Sequence, residues 1–99
     1  MSEPVRRLIV AYDISNDARR DRVAVALQAY GERIQYSVFL VDGRPADFVR
    51  LQLKLRSLID QDSDRVLFCD LGTRDATRKR MTYLGRTPAL TGDQPTLIA

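Results

Sequence analysis

The sequence predicts an α+β domain whose elements run strand, helix, strand, strand, helix, strand around an antiparallel sheet. Three observations predict it. Runs rich in apolar and β-forming residues occupy 8–14, 33–41 and 65–71. The two stretches between them carry apolar residues at helical spacing. Each of those stretches opens with residues suited to a helix start. With 99 residues the chain holds one core, and its 44% hydrophobic content leaves little core to spare, so a second copy would help. A charged fraction of 29% without any low-complexity tract argues against global disorder.

The first strand is Leu8-Ile9-Val10-Ala11-Tyr12-Asp13-Ile14. Desolvating an unpaired carboxylate costs several kcal/mol or more, so Asp13 belongs at a strand end that reaches water, a cation or a substrate. Two readings of it stand. Beside Arg19, Arg20 and Arg22 it suits a metal held against phosphate; alternatively it caps the next helix or pairs with Arg20. Ser15-Asn16-Asp17 supplies N-cap chemistry, Val23, Ala26, Leu27 and Tyr30 recur at helical spacing, and Gly31 stops the helix. Arg19 and Arg22 lie off that stripe near the first turn, which predicts both close to Asp13.

Residues 33–41 are rich in β-formers and read as two short strands bent near Ser37, one long strand being the alternative. Asp42-Gly43-Arg44-Pro45 is a turn with proline at the first helical position. The second helix runs to about Asp60, with Phe48, Leu51, Leu55, Leu58 and Ile59 on one face. A polar loop over 60–64 leads into a buried strand over 65–71. Two right-handed βαβ-type units in this order give the ferredoxin-like βαββαβ arrangement, with both helices on one sheet face. Residues 1–72 form that domain. Residues 73–99 are a basic tail ending in Thr96-Leu97-Ile98-Ala99, a strand suited to a partner's sheet edge or a frayed terminus.

Net charge is +3, and fourteen of the sixteen basic residues are arginine, whose planar fork grips phosphate. They cluster as Arg6-Arg7, Arg19-Arg20-Arg22 and Arg78-Lys79-Arg80, in the manner of a nucleic-acid footprint. The absence of histidine excludes histidine acid–base chemistry, histidine triads and most zinc sites. Cys69 is the one cysteine, so the chain has no internal disulfide or CxxC pair; in its apolar run it reads as a buried, inert thiol. No signal peptide or membrane-length apolar segment is legible, which makes cytoplasmic placement without membrane contact the expectation.

Tyr12-Asp13-Ile14, Arg20 and Arg22, then Arg33-Ile34-Gln35-Tyr36-Ser37-Val38-Phe39 resemble CRISPR-associated protein 2. That family is the small partner of the integrase that inserts new spacers in prokaryotic adaptive immunity. The resemblance covers roughly residues 5–72; beyond, it extends only to a basic tail and a terminal strand. It implies a ferredoxin-like homodimer, with the C-terminal strand packing on the partner subunit. It makes Asp13 the metal ligand and catalytic residue of a nuclease acting on single-stranded RNA, double-stranded DNA or both. Tyr12, Arg20, Arg22, Arg33 and Phe39 match family residues implicated in activity or nucleic-acid contact. Leu40 departs from the family, many members of which carry an acid there.

One aspartate without histidine is too little for a hydrolytic site within one chain, whereas a two-fold axis can bring two copies of Asp13 together. Two carboxylates ~4 Å apart repel by about 4 kcal/mol at an effective dielectric of about 20. Mg2+ (or Mn2+) suits such oxygen-only ligands. Arg19, Arg20 and Arg22 would hold neighbouring phosphates, and Phe39 either stacks on a base or packs in the core. The competing reading is a non-catalytic scaffold that bridges integrase subunits. In it, the 19–22 and 78–80 clusters (Arg78, Lys79 and Arg80) span a duplex. Tyr36 and Ser37 read as interface or packing residues. An RNA-binding sheet face is disfavoured, because Ile9 and Ala11 offer no aromatic platform.

Overall fold

A computed structural model describes residues 4–88 and the backbone of 97–98. Strand β1 is Arg6–Asp13, helix α1 Asp17–Gln28, β2 Gly31–Gln35, β3 Val38–Gly43, α2 Pro45–Leu58 and β4 Arg65–Thr73. The four strands form one antiparallel sheet in the order β2-β3-β1-β4, which is the expected ferredoxin-like α+β topology. A short α3 (Arg74–Arg78) follows, then β5 (Tyr83–Leu84) and β6 (Leu97–Ile98), which pair with each other in parallel. The rest of the expected terminal strand, Thr96 and Ala99, lies outside the described residues.

Side chains alternate across β1. Leu8, Val10 and Tyr12 are buried, while Ile9 and Ala11 are half-buried and Asp13 is exposed. The buried set packs with Val23, Ala24 and Leu27 of α1, Phe39 and Val41 of β3, and Phe48, Leu51 and Leu55 of α2. Each such side chain contributes about 1.5–3 kcal/mol by leaving water, which holds both helices on one face.

Local chemistry sets the element ends. Asn16 caps α1, its side-chain oxygen accepting from the Arg19 amide at 2.9 Å. Pro45 opens α2, and Asp47 accepts from the Arg44 amide at 2.9 Å. Gly31 does not end α1 but begins β2: a Cβ there would stand 2.1 Å from the Leu40 carbonyl oxygen, so strand packing demands glycine. Residues 33–41 do break into two strands, with Tyr36 and Ser37 at the reversal.

Strand β4 departs from expectation. It is an edge strand, not a buried one. Val66 and Phe68 pack toward the core, while Leu67 is 57% exposed and Cys69 is exposed rather than buried. The helices cover one face of this strand and leave its other face open in the single chain.

The chain past Gly72 turns back onto the domain. The Arg74 amide donates to the Val5 carbonyl at 2.9 Å, Thr77 is buried, and α3 packs against β4 and β1. Arg7, on the face opposite the helices, is wholly buried there. Its guanidinium grips Asp42, its cross-strand neighbour, through Nε at 2.8 Å and Nη2 at 2.9 Å, and its Nη1 donates to Met81 Sδ at 3.2 Å. No helix among the described residues is long and apolar enough to cross a membrane.

Removing one partner of a buried ion pair is worse than removing both, because the survivor stays desolvated. Asp42→Ala should therefore cost about 3 kcal/mol in urea unfolding, and Arg7→Met combined with Asp42→Leu should recover most of that loss. Equal destabilisation by the single and double variants would show that the pair does not act as a unit.

Candidate metal centre and nucleic-acid interface

Asp13 is the last residue of β1, and the strand's period turns it away from the helices. Neither local alternative for its carboxylate holds. The cap of α1 is Asn16. Arg20 donates instead to Asp17 Oδ1 at 2.5 Å and to the Ile14 carbonyl at 3.2 Å. Among the described residues no hydrogen bond or ion pair involves the Asp13 side chain. Its register neighbour on β4 is the exposed Arg65, and behind it on the same face lie Ala11, Ile9 and Leu67.

The arginines of α1 divide by direction, as a step of 100° per residue requires. Arg19 is at Asp13's end of the sheet, but Asp64 engages its fork at 2.7 and 3.2 Å. The Asp64 side chain is fully buried and also accepts from the Asp60 amide at 2.8 Å. That pairing raises the Arg19 pKa. The Arg19 fork, followed by the Asp60 amide, holds the Asp64 carboxyl below the ordinary carboxylate range. Arg22 instead lines a groove with Val25, Lys54 and Leu58 on the outer side of the helices. The prediction that Arg19 and Arg22 are the cations available at Asp13 is thus corrected. Arg20 is the one tied to a residue flanking it, and Asp17 raises its pKa.

Two expected contact residues turn out to be interior. Phe39 is 0% exposed, so its ring is core and cannot stack on a base. Tyr12 is 6% exposed and tilted against Phe39 at 31° with ring centroids 6.3 Å apart. Its hydroxyl donates to the Tyr36 carbonyl at 3.3 Å, and its amide to the Ser37 carbonyl at 3.0 Å. Tyr12 therefore anchors the β2–β3 turn rather than meeting a ligand. Leu40 is 2% exposed on the other face, where an acid would be desolvated.

Arg33 is exposed, its guanidinium carbon 5.3 Å from the Phe39 ring centroid and 5.9 Å from that of Tyr36. Tyr36, read from the sequence as an interface or packing residue, is not packed into the core of the single chain. It is 70% exposed at the β2–β3 reversal, and Arg20 also lies 5.9 Å from its ring. The available signal was its place between the polar Gln35 and Ser37 at a strand break, where a ring has no core to enter. Arg78, Lys79 and Arg80 are exposed at and just beyond the end of α3, beside the opposite end of β1. An eight-residue strand separates them from Asp13 by roughly 20 Å.

The donor chemistry at Asp13 fits a hard divalent cation: a carboxylate, open to water and not neutralised by any described neighbour. It is also incomplete, since no group of three or more acidic, cysteine or histidine side chains among the described residues could hold a metal.

The family model described as CRISPR associated protein Cas2 matches residues 6–79. The chain is 36% identical over 97 residues to the CRISPR-associated endoribonuclease Cas2 4 of Rhodospirillum rubrum, covering 97% of this chain and 76% of that one. Its fold is similar to the crystal structure of Streptococcus pyogenes Cas2, with TM-score 0.66 and 32% identity over 80% of this chain and 99% of that one. It is likewise similar to a chain of a partial Cas6-RT-Cas1–Cas2 complex. There the TM-score is 0.66 and the identity 27%, over 94% of this chain and 97% of that one.

Because the folded Asp64 holds its anion more tightly than the unfolded chain does, its contribution is full above the ordinary carboxylate value of about 3.9. The contribution is lost as pH falls through the lower folded-state value. Asp64→Asn should lower Tm at pH 7, and the gap from wild type should narrow below about pH 4. Thermal melts across that range measure it; a gap independent of pH would remove Asp64 as the linked group.

Proposed function

Since the chain belongs to the CRISPR-associated protein Cas2 family, we propose that it serves the spacer-acquisition stage of antiviral defence as a metal-dependent endonuclease. Its substrates are single-stranded RNA, double-stranded DNA or both. One observation carries this reading: an exposed carboxylate ends the central strand, and the cap and the arginine that would explain it structurally are both engaged elsewhere.

The catalytic unit is a homodimer joined through the face that the helices leave open. Ile9, Ala11 and the 57%-exposed Leu67 make that face apolar beside Asp13, and burying it supplies the association energy that a small core needs. The two copies of Asp13 then share the site and hold Mg2+ (or Mn2+). When bound, such a cation acidifies a coordinated water and offsets charge on the scissile phosphate. Arg20, which also pairs with Asp17, and Arg33 lie at the same end of the sheet around Tyr36 and hold phosphates farther along the ligand through charge-assisted hydrogen bonds. Arg19 contributes its positive charge while its fork holds Asp64. Arg22 and the 78–80 cluster lie farther out and extend the footprint along a longer ligand.

The similarity to a chain of a Cas6-RT-Cas1–Cas2 complex favours a second reading, a duplex-binding scaffold that partners a CRISPR-associated integrase. Basic clusters at both ends of β1 suit it, because a dimer repeats them along an extended surface.

The two readings differ at Asp13. Asp13→Asn should abolish cleavage of RNA and duplex DNA at any magnesium concentration while leaving nucleic-acid affinity measured in EDTA within about two-fold, since it removes no basic side chain. Equal cleavage by wild type and variant preparations would leave the scaffold. For the dimer, Leu67→Arg places a charge in the open face and should shift sedimentation from dimer toward monomer. An unchanged sedimentation coefficient would place the interface elsewhere.

A further inference from the structure

Tyr36 lies outside the core formed by the described residues. Its ring is 70% exposed, yet its backbone is held firmly: its carbonyl accepts from the Tyr12 hydroxyl at 3.3 Å, and the next carbonyl, of Ser37, accepts from the Tyr12 amide at 3.0 Å. A large aromatic left in water on a fixed turn has no part in the core. Guanidiniums of Arg20 and Arg33 each lie over the ring, 5.9 Å from its centroid, the outer limit of a cation–π contact, and leave it 70% exposed. Beside it opens a cavity of about 390 Å³, lined by Arg33, Ile34, Gln35, Tyr36, Arg86 and Pro88. That volume lies at the small end of ligand pockets.

We propose that Tyr36 is a stacking platform for one unpaired base, with Arg20 and Arg33 on the flanking phosphates and the Gln35 amide facing the base edge. The platform and the acid are linked through the backbone of β1: Asp13 stands between Tyr12, which holds the turn, and Ile14, whose carbonyl accepts from Arg20 at 3.2 Å. A base inside a duplex already stacks on its neighbours and cannot offer its face to the ring, so this subsite selects single-stranded substrate. The inference rests on Asp13 as the reactive centre for its catalytic meaning, but the stacking itself is measured without cleavage.

The test is fluorescence anisotropy in EDTA, in an Asp13→Asn background, with a labelled single-stranded RNA, the same strand carrying abasic sites, and a duplex DNA. Tyr36→Ala should weaken the single strand about ten-fold, the size of one lost base stack, and leave the abasic strand and the duplex within about two-fold. Tyr36→Trp should restore or tighten single-strand binding. Unchanged single-strand affinity in Tyr36→Ala would overturn the proposal, as would equal weakening of all three ligands, which would make Tyr36 a spacer for the arginines. Failure of the nuclease reading shows separately, as equal cleavage by Asp13→Asn and wild type.

Discussion

The two-residue period of β1 is the constraint on which the rest depends. Leu8, Val10 and Tyr12 must enter the core under both helices, so Ile9, Ala11 and Asp13 must emerge on the other face. A slip of one residue would bury the carboxylate and expose the core set together, a cost that no single neighbour could offset. The same parity governs the strands on either side. Antiparallel register sets Phe39 and Val41 of β3 on the helix side, and sets Leu67 and Cys69 of β4 beside Ala11 and Ile9 on the open side. Packing of the hydrophobic core and presentation of the acid are therefore one decision taken by one strand.

Within that frame the arginines do two kinds of work, and burial separates them. Arg7 and Arg19 each grip an aspartate distant in sequence with two nitrogens, and each pair has one partner with no exposed side-chain surface. Such pairs fix where the chain crosses itself. Arg7 ties β1 to β3 beneath the returning segment, and Arg19 ties α1 to the loop before β4. Arg20 and Arg33 instead stand beside an exposed ring at the end of the sheet that carries Asp13. An arginine-rich composition thus describes both cross-links within the fold and a charged end of the sheet.

This separation explains what could be read from the chain and what could not. Elements were legible because their ends are local: Asn16, Pro45 and the break at Tyr36 and Ser37 act on residues within one turn. The acid at 13 was legible because an apolar run makes it conspicuous. Arg19's engagement was not, since Asp64 is 45 positions away and polarity alone does not show who meets whom. Phe39 was ambiguous for another reason. Phe39, Leu40 and Val41 are buried in succession, so both sheet faces are covered there and the usual alternation is erased. At Cys69 the error ran the other way, because an apolar run suggests a central strand and β4 lies at an edge.

The edge position of β4 also bears on the proposed dimer. An edge strand with an outward Leu67 costs nothing if a second chain covers it, and apolar surface left open next to an acid has a directional consequence. Two copies meeting through this face, as proposed above, would bring together both their apolar residues and their carboxylates. The apolar contact would pull them in, while two like charges at its margin would oppose full closure until a cation or a proton entered. In such a dimer association and cation binding would favour each other, and the hydrophobic period of β1 would set the acid of one chain beside that of a second.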